Sequence, residues 1–251
     1  ELELTACAFN PKGDRLAVGA KAGHVVILEV DLEAIQGKRP PKTGAGLSVG
    51  GLLKRLLTTD PKDASKQKQI EMPAIRDSTQ EIAEIKFSPD GRTLAVASHD
   101  QYIYLYAANE DKYGMQHPQY PRTGQRYLAR CKGHSSTVSH LDWSVDSKML
   151  QSNCNAYELL YWHADRNGDR RELGLQVKHD QRDTKWHSWS CIIGFDVLGM
   201  FPSGYDNTDI NSVARSDHPF DAEHDERYVA VGTDRGAVLL FNYPPVVAKA
   251  P

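Results

Sequence analysis

Short apolar runs alternate along this chain with clusters of turn-forming residues, and no helical period is sustained between them. One unit runs Phe9-Asn10-Pro11-Lys12-Gly13-Asp14, then Leu16-Ala17-Val18-Gly19, then Gly23-His24-Val25-Val26-Ile27-Leu28. A second runs Phe87-Ser88-Pro89-Asp90-Gly91, then Leu94-Ala95-Val96-Ala97-Ser98-His99-Asp100, then Ile103-Tyr104-Leu105-Tyr106, and it aligns on the first without a gap. A third extends from Leu141-Asp142-Trp143-Ser144 to Leu159-Leu160-Tyr161-Trp162, and a fourth from Val229-Ala230-Val231-Gly232 to Leu239-Leu240-Phe241. Each unit has the same layout: a strand, a turn built on Pro, Gly or Asp, a second strand, a tight turn and a third strand. Repeated units of three or four strands predict β-meanders.

This grammar, with Gly133-His134 heading the third unit, resembles the WD40 repeat, whose units form the blades of a β-propeller. Phe9 lies 78 residues before Phe87, and Phe87 lies 56 before Trp143. A blade needs only about 40–45 residues, so the chain carries insertions. The expected fold class is all-β, a WD40-type β-propeller with at least four recognisable blade units and long inserted loops. Residues 1–251 read as part of one propeller, a piece of something larger. The run Cys191–Phe201, inside the long last spacing, is expected to supply extra strands.

Composition narrows the picture without changing it. The chain has 251 residues, 40% hydrophobic and 25% charged, with a net charge of −3. That balance argues against a nucleic-acid binder, which is usually basic. No apolar run approaches the ~18 residues of a membrane-spanning helix, and the acidic start Glu1-Leu2-Glu3-Leu4 lacks the features of a signal peptide. Four cysteines, Cys7, Cys131, Cys154 and Cys191, show no paired spacing and read as reduced thiols.

Charge is unevenly distributed. The insertion at 32–80 holds nine basic and five acidic residues, giving it +4 and leaving −7 for the rest. Its cations Lys38, Arg39, Lys42, Lys54, Arg55, Lys62, Lys66 and Lys68 read either as a solvated linker or as an arm that meets an acidic partner. A second inserted loop, 109–127, carries Tyr113, His117, Pro118, Tyr120 and Pro121 and suits an ordinary loop or a docking surface equally.

More specific residues point to one family. The run Arg130-Cys131-Lys132-Gly133-His134 to Asp142-Trp143-Ser144 resembles a blade opening of the echinoderm microtubule-associated protein-like (EML) family. Within 163–228, an extended blade region, the resemblance is carried by Arg182-Asp183-Thr184-Lys185-Trp186, by Cys191-Ile192-Ile193-Gly194-Phe195 and by Phe201-Pro202-Ser203-Gly204 through Asn207-Thr208-Asp209-Ile210-Asn211. Phe241-Asn242-Tyr243-Pro244 closes the unit in the family's manner. The resemblance implies the second, C-terminal propeller of a tandem module. It also implies a non-enzymatic cytoskeletal scaffold that binds tubulin or microtubules, in the cytoplasm or at a ciliary axoneme. A generic WD40 adaptor for another protein is the alternative.

A regular WD40 blade links the Gly-His histidine, a Ser or Thr, a turn Asp and a strand Trp. His134 and Trp162 fit the first and last of these roles. The Asp position falls on Ala156, so the third unit's network is expected to be incomplete. In the second unit Asp100 fits the turn while Tyr106 stands for the Trp. Asp209 sits in an Asx-rich run, Asp206 to Asn211, that suits turn capping better than calcium, since it lacks the EF-hand's glycine and closing glutamate.

Catalytic and metal motifs do not assemble. Gly46-Leu47-Ser48-Val49-Gly50 matches a nucleophile elbow, but a Pro- and Lys-rich stretch precedes it where a buried strand is required. His179, Asp180, His187, His218, Asp221 and His224 have no metal-ligand spacing. No catalytic residue, metal site or cofactor is expected.

Overall fold

The computed structural model describes residues 3–30, 75–108, 127–201, 209–216 and 227–246. Its strands are β1 (Leu4–Phe9), β2 (Arg15–Ala20), β3 (Val25–Glu29), β4 (Ile82–Phe87), β5 (Thr93–Ser98), β6 (Tyr102–Ala107) and β7 (Tyr127–Lys132). There follow β8 (Val138–Trp143), β9 (Met149–Cys154), β10 (Leu159–His163), β11 (Ile210–Arg215), β12 (Arg227–Thr233) and β13 (Val238–Tyr243). They form four antiparallel meanders: β1-β2-β3, β4-β5-β6-β7, β8-β9-β10 and β11-β12-β13. These are the four blade units expected from the repeat, and the architecture is an all-β, WD40-type β-propeller. The chain divides into two compact units, Glu1–Arg130 and Cys131–Pro251.

The four meanders share details that the repeat only hinted at. In each, the ladder between the first two strands skips one residue near its start: Thr5, Ala83, Ser139 and Asn211. Such a bulge sharpens the local twist and sets which face each later side chain occupies. In each, a polar side chain just past the first strand accepts a hydrogen bond from a backbone N–H at or near the start of the second. The pairs are Asn10 with Arg15 at 2.9 Å, Ser88 with Thr93 at 2.9 Å, Ser144 with Met149 at 2.9 Å and Ser216 with Tyr228 at 3.0 Å. The turn into the third strand has a left-handed residue at Gly23, Gln101, Tyr157 and Gly236, with φ of 80°, 74°, 58° and 72°. Glycine takes that conformation freely; glutamine and tyrosine do so at a cost of about 1–2 kcal/mol.

In the first unit Ala17, Val25, Ile82, Ile85, Leu94, Val96 and Tyr106 form one buried cluster. The first two meanders approach closely at Gly19, where a Cβ would lie 2.6 Å from Ile82 Cγ2. Thr5, the skipped residue of β1, donates its hydroxyl to the Ile82 carbonyl at 2.6 Å. In the second unit Trp186, Trp189, Val197, Met200, Ile210, Val213, Val229 and Val231 form the matching core.

The stretch Cys191–Phe201 corrects one expectation. It holds a 3-10 helix over Phe195–Met200 rather than strands. Val197 and Met200, three residues apart and so on one face of a 3-10 helix, are buried together with Gly199, while Leu198 is exposed. The eight cations of the 32–80 loop named above, Ser48 and nearly all of the second inserted loop lie outside the described residues.

Candidate functional site

The third meander holds the densest polar cluster bearing on the WD40 reading. His134 sits three residues after the start of Cys131–Pro251, in the turn before β8, and is 6% exposed. Its Nε2 lies 2.7 Å from Ser152 Oγ on β9, and Trp162 Nε1 on β10 donates to the same oxygen at 2.8 Å. Trp162 is fully buried, and its ring lies 5.7 Å from the imidazole. Strand alternation explains the meeting: Ser152 and Trp162 face the same side of adjacent strands, and the Gly133-His134 turn folds over them. Gly133 permits this approach, since a Cβ there would touch the Trp162 ring at 3.0 Å.

The network is complete, which corrects the expectation drawn from Ala156. Glu158, two residues on, supplies the carboxylate. Its Oε2 lies 3.3 Å from His134 Nδ1, and it accepts from the Ser135 backbone N–H at 2.9 Å and from Cys154 Sγ–H at 3.1 Å. Its Oε1 accepts from Ser135 Oγ at 2.7 Å. The left-handed Tyr157 turns the chain so that Glu158 reaches back to the histidine. The Ser135 amide, the Cys154 thiol and the Ser135 hydroxyl hold the Glu158 carboxyl down at about 2. Burial lowers the His134 imidazole below its usual value, with Glu158 opposing, so a neutral ring beside an ionised carboxylate is the resting state.

The second meander solves the same problem differently. Asp100 accepts from Thr79 N at 3.1 Å, Tyr102 N at 3.3 Å and Tyr104 Oη at 2.8 Å. Ser78 occupies the position that His134 takes in the third meander, and its hydroxyl meets Ser98 Oγ at 2.7 Å. Tyr106, in the tryptophan's place, donates to Asp77 at 2.9 Å. Asp209 is exposed and accepts from Tyr157 Oη at 2.9 Å, tying the third meander's turn to the start of the fourth. His179, Asp180 and His187 are exposed loop residues; His218, Asp221 and His224 lie outside the described residues.

Sequence reasoning passed over Asp142. This fully buried carboxylate accepts from Ser188 Oγ at 2.6 Å, Ser190 N at 2.8 Å and Cys191 N at 3.0 Å. It staples the segment after Trp186 onto β8. Arg215 completes the fastening by donating to the carbonyls of Trp186 and His187 at 2.9 and 2.7 Å. A lone acid inside an apolar strand, Leu141-Asp142-Trp143, was the available signal.

Residues 42–251 match a sequence model of the second β-propeller of echinoderm microtubule-associated protein. The chain is 38% identical to human echinoderm microtubule-associated protein-like 3 over 99% of its own length and 22% of that protein's. It is 34% identical to the 77 kDa echinoderm microtubule-associated protein of Lytechinus variegatus over 98% of its length and 28% of that protein's. It thus spans less than a third of either relative. Among solved structures, the Myceliophteria thermophila Cps50 (Swd1) β-propeller domain is similar with a TM-score of 0.44 at 11% identity, covering 94% of this chain and 52% of that one. The specific repeat, its blade geometry and the match over 42–251 to the family's second propeller agree: the chain belongs to the echinoderm microtubule-associated protein family.

Proposed function

We propose that this chain is part of a non-enzymatic cytoskeletal scaffold that binds tubulin or microtubules through blade surfaces and inserted loops. The observation that supports the reading most is the match over 42–251 to the family's second propeller. The relatives named above are themselves microtubule-associated by name. The role is recognition by surface, with localisation on cytoplasmic or axonemal microtubules following from it.

The proposed contact includes the basic arm of Lys38, Arg39, Lys42, Lys54, Arg55, Lys62, Lys66 and Lys68. One exposed charge pair contributes about 0–1 kcal/mol, so the arm acts through number. Screening beyond roughly 8 Å at physiological salt makes such binding ionic-strength dependent.

The test is co-sedimentation of the full-length parent with stabilised microtubules across a salt series, beside a variant with these eight cations neutralised. Salt-sensitive pelleting that the variant loses supports the arm as the contact. Pelleting unchanged in the variant moves the contact to the blades. A parent that stays in the supernatant at every salt concentration defeats the microtubule reading and favours an adaptor for another protein.

A further inference from the structure

The hydrogen-bonded core of the third meander contains one group that its relay does not need. Trp162, Ser152, His134 and Glu158 already form a continuous chain, yet the Cys154 thiol is aimed at the same carboxylate oxygen. The Nδ1 of His134, the Sγ of Cys154 and a carboxylate oxygen of Glu158 all lie within 4.8 Å of one another. Two of the edges are 3.3 Å and 3.1 Å. Tetrahedral zinc, with Zn–S near 2.3 Å and Zn–N or Zn–O near 2.0–2.2 Å, needs edges of roughly 3.3–3.6 Å. The Cys154–Glu158 edge has to open by a few tenths of an ångström, and the His134–Cys154 edge, within 4.8 Å, has to close into the same range by side-chain rotation.

We propose that His134, Cys154 and Glu158 form a three-ligand site for a borderline-soft divalent cation of the zinc type, with water in the fourth position. The donor set is one imidazole, one thiolate and one carboxylate, which suits Zn²⁺ and disfavours Mg²⁺ and Ca²⁺. Outer contacts needed to fix these ligands are present. Ser152 holds the far nitrogen of the imidazole, and Trp162 holds Ser152. Ser135 holds Glu158 through both its amide and its hydroxyl. Such outer contacts set ligand orientation and basicity in metal sites. The way in is through Glu158, whose side chain is 32% exposed, while His134 and Cys154 are buried.

Loading conserves the fold. The thiol releases one proton to solvent as the S–metal bond forms. The imidazole stays neutral: Nδ1 gives up its proton to bind the ion, and Nε2 acquires one and donates it to Ser152 Oγ. The sequence reading missed this set because Cys154 and Glu158 are four residues apart across a left-handed turn, and His134 is twenty residues upstream.

The test uses the full-length parent, stripped with a chelator and then titrated with Co²⁺ and, in competition, Zn²⁺. The expected result is a near-ultraviolet thiolate-to-cobalt charge-transfer band with visible four-coordinate bands, both erased by Zn²⁺. Cys154→Ala should remove the charge-transfer band, and Glu158→Gln should weaken Zn²⁺ binding at least ten-fold. Cys7→Ser, at the exposed cysteine, should leave the band intact. A parent spectrum indistinguishable from that of Cys154→Ala up to millimolar Co²⁺ overturns the proposal. If Cys154→Ala does not fold, X-ray absorption of the Zn²⁺-loaded Cys7→Ser protein decides instead. One sulfur and two or three nitrogen or oxygen neighbours support the site; a shell without sulfur overturns it.

Discussion

Ser152 is where the third blade concentrates its cost of error. Its hydroxyl serves His134 and Trp162 at once, in a region with no exposure. Ser152→Ala leaves a buried indole N–H and an imidazole nitrogen without their partner, so a loss of about 1–3 kcal/mol is expected, read as a lowered urea midpoint. Glu158 gives a pH signature. Its folded carboxyl is held at about 2, below the ordinary value, so its contribution is fully present above the unfolded range and is lost as pH falls through the folded one. Stability of the parent should therefore decline between about pH 4.5 and pH 2 more steeply than that of Glu158→Gln, in acid-titrated denaturation monitored by tryptophan fluorescence. Asp142→Asn replaces an acceptor of two backbone N–H groups with an amide able to turn its own N–H toward them. A loss of about 1.5–3 kcal/mol is expected, with the segment around Trp186–Cys191 becoming the first site of proteolytic cleavage.

At the scale of the element, glycines in strands and turns make a contrast that can be measured. Gly19→Ala places a methyl 2.6 Å from Ile82 Cγ2 and 2.9 Å from Ile85 Cδ1, both buried in the facing sheet. Overpacking of this kind costs about 1–3 kcal/mol. Gly236→Ala meets nothing within 4 Å, and its cost is set by the positive φ of 72° alone, about 1–2 kcal/mol. Restoring room through Ile82→Ala should recover part of the first loss and none of the second, in a double-mutant cycle by urea unfolding. The strands themselves were legible, because Leu16-Ala17-Val18 and Leu94-Ala95-Val96 repeat the same burial in the same frame. Cys191–Phe201 was misread since an apolar run of that length fits a strand or a helical turn, and only burial at Val197 and Met200 separates them. Glu158 was illegible for a related reason. The left-handed turn at Tyr157 is the one found at Gln101, but the carboxylate comes from Glu158, two places after the usual Asp position, where counting along the repeat does not look.

For the molecule as a whole, β13 is the element to watch. It pairs with β12, and among the described residues its other edge has no strand. Val238 and Leu240 are 77% and 65% exposed. An apolar strand with an open edge recruits other chains. The isolated 251-residue chain should self-associate, and Val238→Lys with Leu240→Lys should shift it toward monomer in sedimentation velocity. The skipped residue shared by all four meanders, at Thr5, Ala83, Ser139 and Asn211, bears on how such a protein can be rebuilt. It works as a phase marker. Each blade carries its own origin for counting inside from outside, independent of the lengths of the connecting loops. Blades are therefore graftable cassettes: a cut made before the marker transplants the whole frame, whereas a cut just after it should transplant a strand with its faces reversed.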